Sequence, residues 1–491
     1  MISKTKRLIY VNVTLIVFGF KALIGHKLRA QEWLFERLSR LGGIYIKFLQ
    51  LLAISENTMN VHTASLKDVL AVYDQVQYEN IDIVRLLHAE LGDKTNYIHL
   101  DSTEPIAAGS FAQVYSGVLD NRRIIIKVLR PSVVRFLRFD LALLSATVRI
   151  ISILAPQTLL DMVSIFDDLK RITLEEIDYI HEVANAMHMS EQLANNPVIY
   201  IPQTLPEFST QYIIVQEYID GLPMTQLLSS NIDNKLEYVY SNFRTDLNYV
   251  MEELAVELLA GSLEDGGSHG DPHPGNIYIL PNNRVALIDF GIGASVQKHK
   301  PELMHLMKQY IALYRGEFDP VQFSQAVINY YVPDLTQSMQ TLSTYFGKQD
   351  LVNRTLQELG QSAAKTLQEQ GADPAISSML DQYRMVYLFT QVINKGNRFG
   401  LHLTLETPAF ARSTQIFLHI VHRLGCDKQL LRRSWERVLA ANENLQPAQS
   451  AAYDNEAIDY SMHTIASWLE RLHYSDTGLY KRITQSWGGI I

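Results

Sequence analysis

The spacing of apolar residues changes several times along the chain. Trp33, Leu34, Leu38, Leu41 and Ile44 recur at three- and four-residue intervals, and a similar pattern fills 63–91, so 28–55 and 63–91 are predicted as amphipathic helices. From Asn96 the period shortens. HLDSTEPIAAGSFAQVYSGVL predicts two strands around a small-residue turn, and RRIIIKVLRP predicts a third. The β-branched run in that third segment reads as a central strand stopped by Pro131. Helical spacing returns over 133–154 and 161–194, TQYIIVQEYIDG predicts another strand and a turn, and 237–264 is predicted as helix. NIYILPNNRVALIDFG predicts a short hairpin, and from 301 onward the pattern is almost wholly helical. Repeats and low-complexity linkers are absent, and the shift near 300 is the expected soft boundary in an α+β chain.

Composition bounds this picture. The chain has 491 residues, 47% hydrophobic and 19% charged, which is a globular composition. A net charge of −9 argues against a general nucleic-acid binder. Cys426 stands alone, so no internal disulfide forms; it reads as a small buried hydrophobe in a reducing compartment. Charge is uneven. Lys4, Lys6, Arg7, Lys21, Lys27, Arg29, Arg37 and Arg40 face only Glu32 and Glu36 in the first forty residues. Between them Leu8–Ile24 is apolar but broken by Asn12, Thr14 and Lys21, whereas a spanning helix wants about 20 apolar residues. The segment predicts a helix on an anionic membrane surface or packed on the rest of the protein, with a transmembrane anchor as the alternative. No small-residue cleavage site follows it, so a cleaved signal peptide is not expected.

The chemistry concentrates in SHGDPHPGN at 268–276 and in VALIDFG, which ends on Asp289-Phe290-Gly291. Phosphoryl transfer needs cations for phosphates, ligands for a metal and a carboxylate near the acceptor. Lys127, inside IIIKV, supplies the cation, and a lysine in so apolar a strand needs a partner. Glu182 in EEIDYIHEVAN is the best candidate. Asp271 is placed to orient or deprotonate a hydroxyl or water, and Asn276 and Asp289 are hard oxygen ligands for Mg²⁺. His269 and His273 beside Asp271 leave a transition-metal site as the alternative. Glu217 and Tyr218 fall where an adenine-binding hinge would lie. After Asp289 the sequence DFGIGASVQKHKPELM lacks the long activation loop and Ala-Pro-Glu of protein kinases. That favours a small molecule, a lipid or water as acceptor.

Over residues 28–300 the chain resembles the UbiB (AarF-type) family of atypical protein-kinase-like proteins. The resemblance rests on Lys47 and Gln50 in GGIYIKFLQLL and on an alanine-rich loop, AAGSFAQVYSG, carrying Ala107, Ala108, Gly109, Ser110 and Gln113. Glu176, Asp178, Glu182 and Asn185 in EEIDYIHEVAN, with the HGDPHPGN and DFG motifs, complete it. It implies an α+β, two-lobed protein-kinase-like fold with a helical N-terminal extension and a largely helical C-terminal lobe. The expected spans are a membrane-surface or packing segment at 1–27, the extension at 28–95, the N-lobe at 96–220, the catalytic core at 221–300 and a helical region at 301–491.

The resemblance further implies ATP and Mg²⁺ as cofactors. ATP would be held by Ala107, Ala108, Gly109, Ser110, Gln113, Lys127 and Glu217, and the metal by Asn276 and Asp289. Asp271, Lys127 and Glu182 would act with Lys47, Glu176 and Asp178, the extension covering the cleft where a protein kinase binds peptide. Asp178 and Glu182, four apart, are expected on one helical face. Leu49 and Gly109 depart from the family's glycine and alanine, at features that restrain ordinary kinase activity there. The expected partners are ATP, a lipid or isoprenoid or phenolic small molecule, and a membrane surface on its cytoplasmic or organelle-matrix side, with no nucleic acid. A small-molecule phosphotransferase of the aminoglycoside or choline kinase type, and a nucleotide-switched lipid-binding scaffold without catalysis, remain as alternatives.

Overall fold

The computed structural model describes most of residues 78–154, 166–370, 407–442 and 455–487, with isolated positions before residue 46. The chain divides into two compact units. The first comprises Met1–Ala194, Ile201–Asp220 and Asp289–Ile292, and the second comprises Asn195–Tyr200, Gly221–Ile288 and Gly293–Ile491.

The first unit is built on an antiparallel sheet. Its strands β1 (Ile98–Leu100), β3 (Ala112–Leu119), β4 (Arg122–Leu129) and β5 (Ile213–Glu217) lie side by side in that order, with β2 (Ala107–Ala108) on β3. Asp120 and Asn121, with φ of 48° and 65°, make the β3–β4 turn in the left-handed conformation their short polar side chains tolerate. Alternation along β4 sends Ile124, Ile126 and Val128 into a core with Tyr115, Ile213 and Val215 and with Ile83, Leu87 and Leu91 of helix α1 (Ile83–Leu91). Lys127 therefore points to the opposite face, where Ile214, its register partner on β5, joins a second cluster. That cluster contains Phe111, Leu129, Leu137, Leu141, Tyr179 and Val183. Pro131 ends β4 and opens helix α2 (Pro131–Leu154), a position where its missing N–H has no helical partner to lose.

Three predicted helices are shorter or divided. Residues 78–82 are not helical, and α1 starts after Asp82, whose carboxylate accepts from Arg85 N at 3.0 Å. The helix predicted over 161–194 breaks at Ile177–Asp178, after which α3 (Tyr179–Gln192) begins. The one predicted over 237–264 becomes Lys235–Phe243 and α4 (Leu247–Ser262), separated by Arg244 at φ 51° and capped by Asp246. Each break falls at an Asp whose side chain binds the next helix's free N–H groups, which apolar periodicity does not register.

In the N-terminal segment Val11 and Thr14 are buried while Ile9 and Val13 are exposed, and Val11 packs in the cluster of Leu137 and Leu141. No described helix is long and apolar enough to cross a membrane.

The second unit carries a four-stranded sheet ordered Ile199–Tyr200, β8 (Arg284–Leu287), β7 (Ile277–Leu280) and Leu222–Pro223, plus a two-stranded ladder of β6 (Ser268–His269) with β9 (Gly293–Ala294). Gly267, just before β6, has φ 74°, and a Cβ there would lie 2.8 Å from the Ala294 carbonyl oxygen, so only glycine fits. After α5 (Lys300–Arg315) the described chain is helical apart from short connections. Its side chains, among them Tyr310, Phe323, Trp435, Trp468 and Trp487, share one apolar cluster with Leu259 and Leu263 at the end of α4. The tail thus completes the core against which the end of α4 packs.

Candidate active site

In the first unit, β4 and α3 bring Lys127 to Glu182, the partner the sequence suggests. Lys127 Nζ donates to Glu182 Oε1 at 2.8 Å and Oε2 at 2.9 Å, and to Asp289 Oδ2 at 3.1 Å. An ammonium has three hydrogens, so these two carboxylates take its full donor set. Burial alone would lower the Lys127 pKa, but Asp289 and Glu182 outweigh it and hold the ammonium charged above its ordinary range. Burial pushes the Glu182 carboxyl up to about 7; Lys127 opposes that shift and the neighbouring Asp289 adds to it.

Asp289 is itself held in place. Its φ is 66°, a left-handed conformation uncommon outside glycine, and its Oδ1 accepts from Gly291 N at 3.4 Å. Asn185 of α3 donates to the Phe290 carbonyl at 3.0 Å, anchoring the Asp-Phe-Gly turn to the helix that carries Glu182. Gly291 lies where several acids converge: a Cβ there would meet Asp289 Oδ1 at 3.5 Å, Glu176 Cα at 3.6 Å and Glu182 Oε2 at 3.7 Å.

Two sequence expectations are corrected here. Asp178 does not share a helical face with Glu182. It is the N-cap of α3, exposed, and its carboxylate accepts from His181 N at 3.1 Å. Gln113 is not turned to a ligand. It is 0% exposed, its Oε1 accepts from Glu79 N at 2.6 Å, and its Nε2 donates to Glu79 O and Tyr115 Oη at 3.1 Å each. The Glu79 carboxylate in turn accepts from Ser132 Oγ at 2.7 Å at the start of α2. Gln113 and Glu79 thus strap the chain ahead of α1 onto the strand pair that begins at Ala107 and Ala108. Gly109 turns that pair with its N–H on Ala112 O at 2.9 Å. Lys47, Gln50 and Ser110 lie outside the described residues.

At the hinge, Glu217 N donates to Gln203 O at 2.9 Å and Tyr218 N to Arg123 O at 3.0 Å. The Glu217 carboxylate accepts from Gln203 N at 3.1 Å, and the Arg123 guanidinium stacks 3.8 Å from the Tyr218 ring centre. Side chains here are engaged by the strand's own neighbours. The next backbone donor, Ile219 N–H, has no partner among the described residues.

In the second unit the SHGDPHPGN loop is ordered by its own polar atoms. His269 is buried; Nε2 lies 3.0 Å from Ile288 O and Nδ1 accepts from Asp271 N at 3.2 Å. Those contacts assign the proton to Nε2 and engage both ring nitrogens. Ser413, on the helix Thr407–Leu424, donates to His269 O at 3.3 Å. His269 is therefore a positioning residue rather than a metal ligand. His273 caps Gly275 N, and among the described residues no cluster of His, Cys, Asp and Glu is suited to a metal. Asn276 Nδ2 donates to Asp271 O at 3.0 Å, which leaves its Oδ1 as an acceptor. The Asp271 carboxylate makes no hydrogen bond among the described residues. A free carboxylate and an amide oxygen are the hard donors that Mg²⁺ takes. Cys426, also in this unit, has its thiol pushed up to about 12 by burial, then by Asp246 and Asp427, which keeps it protonated and unreactive.

Sequence reasoning missed Tyr179, one helical turn before Glu182, and Glu79. The signal for Tyr179 was its aromatic ring at the start of the EEIDYIHEVAN helix; for Glu79 no periodic signal exists.

Residues 61–319 match the ABC1 atypical kinase-like domain. Among curated relatives, an uncharacterised protein from the hydrogenase 1 5′ region of Clostridium pasteurianum is 24% identical over 447 residues, 89% of this chain and 77% of its own length. Probable protein kinase UbiB of Cellvibrio japonicus is 26% identical over 322 residues, 63% of this chain and 55% of its own. The chain spans about half the length of the UbiB relatives it matches. The structure of Rv3197 from Mycobacterium tuberculosis in complex with erythromycin is 19% identical, with a TM-score of 0.48, covering 83% of this chain and 95% of its own.

Proposed function

Since the chain belongs to the ABC1 atypical kinase-like family and has its mixed α+β kinase-like fold, we propose that it is a UbiB-type, Mg²⁺-dependent ATPase or phosphotransferase. It works at a membrane surface in isoprenoid-quinone, ubiquinone-like or related lipid metabolism. The observation that carries this reading is the Lys127 ammonium held between Glu182 and Asp289 at 2.8 and 3.1 Å. A fixed cation flanked by an Asp on an Asp-Phe-Gly turn is what nucleotide phosphates and their metal require.

Mg²⁺ supplies charge neutralisation on the phosphates when bound. In the first unit Asp289 would offer it an oxygen ligand and Lys127 would take an α- or β-phosphate oxygen; in the second unit Asn276 would offer an oxygen ligand and Asp271 would orient the acceptor. The acceptor is a small molecule, a lipid or water. The chain runs from the Asp-Phe-Gly turn through β9 and one 3₁₀ turn, Gln297–His299, straight into α5, which offers no platform for a peptide. The exposed Leu8, Ile9 and Val13 and the basic residues flanking them in sequence support contact with an anionic surface.

The test is calorimetric titration of Mg-ATP into the full chain and its Asp289→Asn variant, with hydrolysis followed on anionic liposomes. Wild type should bind, and the variant should lose binding or turnover by at least tenfold. Equal affinity and equal turnover in both would sink the metal assignment.

A further inference from the structure

Tyr179 opens α3 one turn ahead of Glu182 and is 1% exposed. Its ring centre lies 5.3 Å from Lys127 Nζ, so the phenol sits beside the one cation of the cluster. Buried tyrosine hydroxyls nearly always find a partner. Others in this unit do: Tyr45 donates to Asp140 at 3.3 Å, and Tyr115 accepts from Gln113 at 3.1 Å. The Tyr179 hydroxyl is buried and has no hydrogen-bond partner among the described residues.

The obvious acceptors nearby are already engaged, because Glu182 turns both oxygens to Lys127 and Asp289 turns Oδ2 to it. Burial raises the phenol's pKa; Lys127 opposes that, and Glu182 and Asp289 reinforce it. It therefore keeps its proton and stays a donor. A protonated donor beside a fixed ammonium, with its hydrogen unused, suits an anionic oxygen that arrives at Lys127.

We propose that Tyr179 is a further ligand-binding residue, whose hydroxyl donates to a phosphoryl oxygen of the nucleotide held at Lys127. This rests on the nucleotide reading above and adds a second donor to it, on α3 rather than β4. The phosphoryl oxygen could come from a nucleotide or from a bare polyphosphate chain, and the probes below separate these sources from the base.

The test uses Tyr179→Phe in the full chain, which removes only the hydroxyl. Without ligand the variant should melt at or above the wild-type temperature, because no native hydrogen bond is lost. Its affinities for Mg-ATP and for Mg-tripolyphosphate should each fall about tenfold, the scale of one hydrogen bond to a charged group. Adenosine affinity should not change. A lower melting point without ligand would overturn the premise that the hydroxyl is unpartnered. Unchanged Mg-ATP affinity, or a loss that adenosine shares equally, would overturn the proposal while leaving the nucleotide reading intact. Absence of Mg-ATP binding in wild type would instead sink that reading and this inference together.

Discussion

Replacing Lys127 by Met tests the buried cluster through its pH dependence. The Glu182 side chain is 7% exposed, and its carboxyl is pushed up to about 7 even with the ammonium beside it. Removing one member of a buried ion pair costs about 3–5 kcal/mol when the other stays charged. Glu182 has an escape, since it can bind a proton, and each pH unit of displaced titration is worth about 1.4 kcal/mol. At pH 6 it is already mostly neutral, so the variant chiefly loses the contact to the partly exposed Asp289, about 1 kcal/mol or less. At pH 8.5, some 1.5 units above the wild-type value, the deficit should grow by about 2 kcal/mol.

The direction follows from linkage. A carboxyl raised above its unfolded value of 4.5 contributes stability in full below that pH and loses it as pH climbs through the folded value. In wild type that loss ends near 7. Without Lys127 the folded value rises further, so the loss continues and the two proteins diverge only above neutrality. Lys127 stays charged throughout this window and adds nothing to the slope. Amide exchange of β4 and α3, followed across pH 6 to 8.5 in urea, reads the difference locally in a chain of two units. A deficit that is constant over this range, or one that shrinks as pH rises, would refute the buried-carboxyl account.

Two further substitutions probe the strand pair at 107–119. Gln113→Leu removes the bonds to Glu79 N and O, and because Glu79 is half-buried water repairs part of the damage. The loss should be about 1–3 kcal/mol, with faster exchange at residues 78–82; unchanged exchange of the Glu79 amide would show that the strap does not depend on this side chain. Gly109→Ala should be tolerated, since a Cβ there meets nothing within 4 Å and its φ is not positive. Fewer unfolded conformations should stabilise the chain by about 0.4–1 kcal/mol, and a drop in thermal midpoint would mean the turn needs glycine after all.

Much of this was legible because it is local. The alternation of IIIKV sets Lys127 on the face away from α1, and Asn282 and Asn283, both left-handed, make the turn of the hairpin predicted from NIYILPNNRVALIDFG. The choice of Glu182 as partner for Lys127 followed from burial of a charge. What escaped was carried by single polar side chains. Asp82, Asp178 and Asp246 start helices through one or two side-chain hydrogen bonds each, and a helical pattern reads straight through them. Gln113 lies near the start of β3, in a motif whose family counterpart suggested ligand contact, yet its amide is matched by a backbone 34 residues away, a pairing that no short-range spacing encodes. Tyr179 is buried like the core aromatics around it, and its unmatched hydroxyl, which no sequence pattern signals, distinguishes it.

The crowding of Lys127 has a thermodynamic consequence. With all three hydrogens committed, an anion cannot simply add to the ammonium; it must displace Glu182 or Asp289. Asp289 is the weaker holder, longer at 3.1 Å and the more exposed of the two. A cation that draws Asp289 away therefore frees a hydrogen for the anion, and by reciprocity the anion frees a carboxylate for the cation. The two would bind with positive cooperativity although neither touches the other's ligand. Neither alone would meet a vacant site; each would have to break the same contact between Lys127 and Asp289.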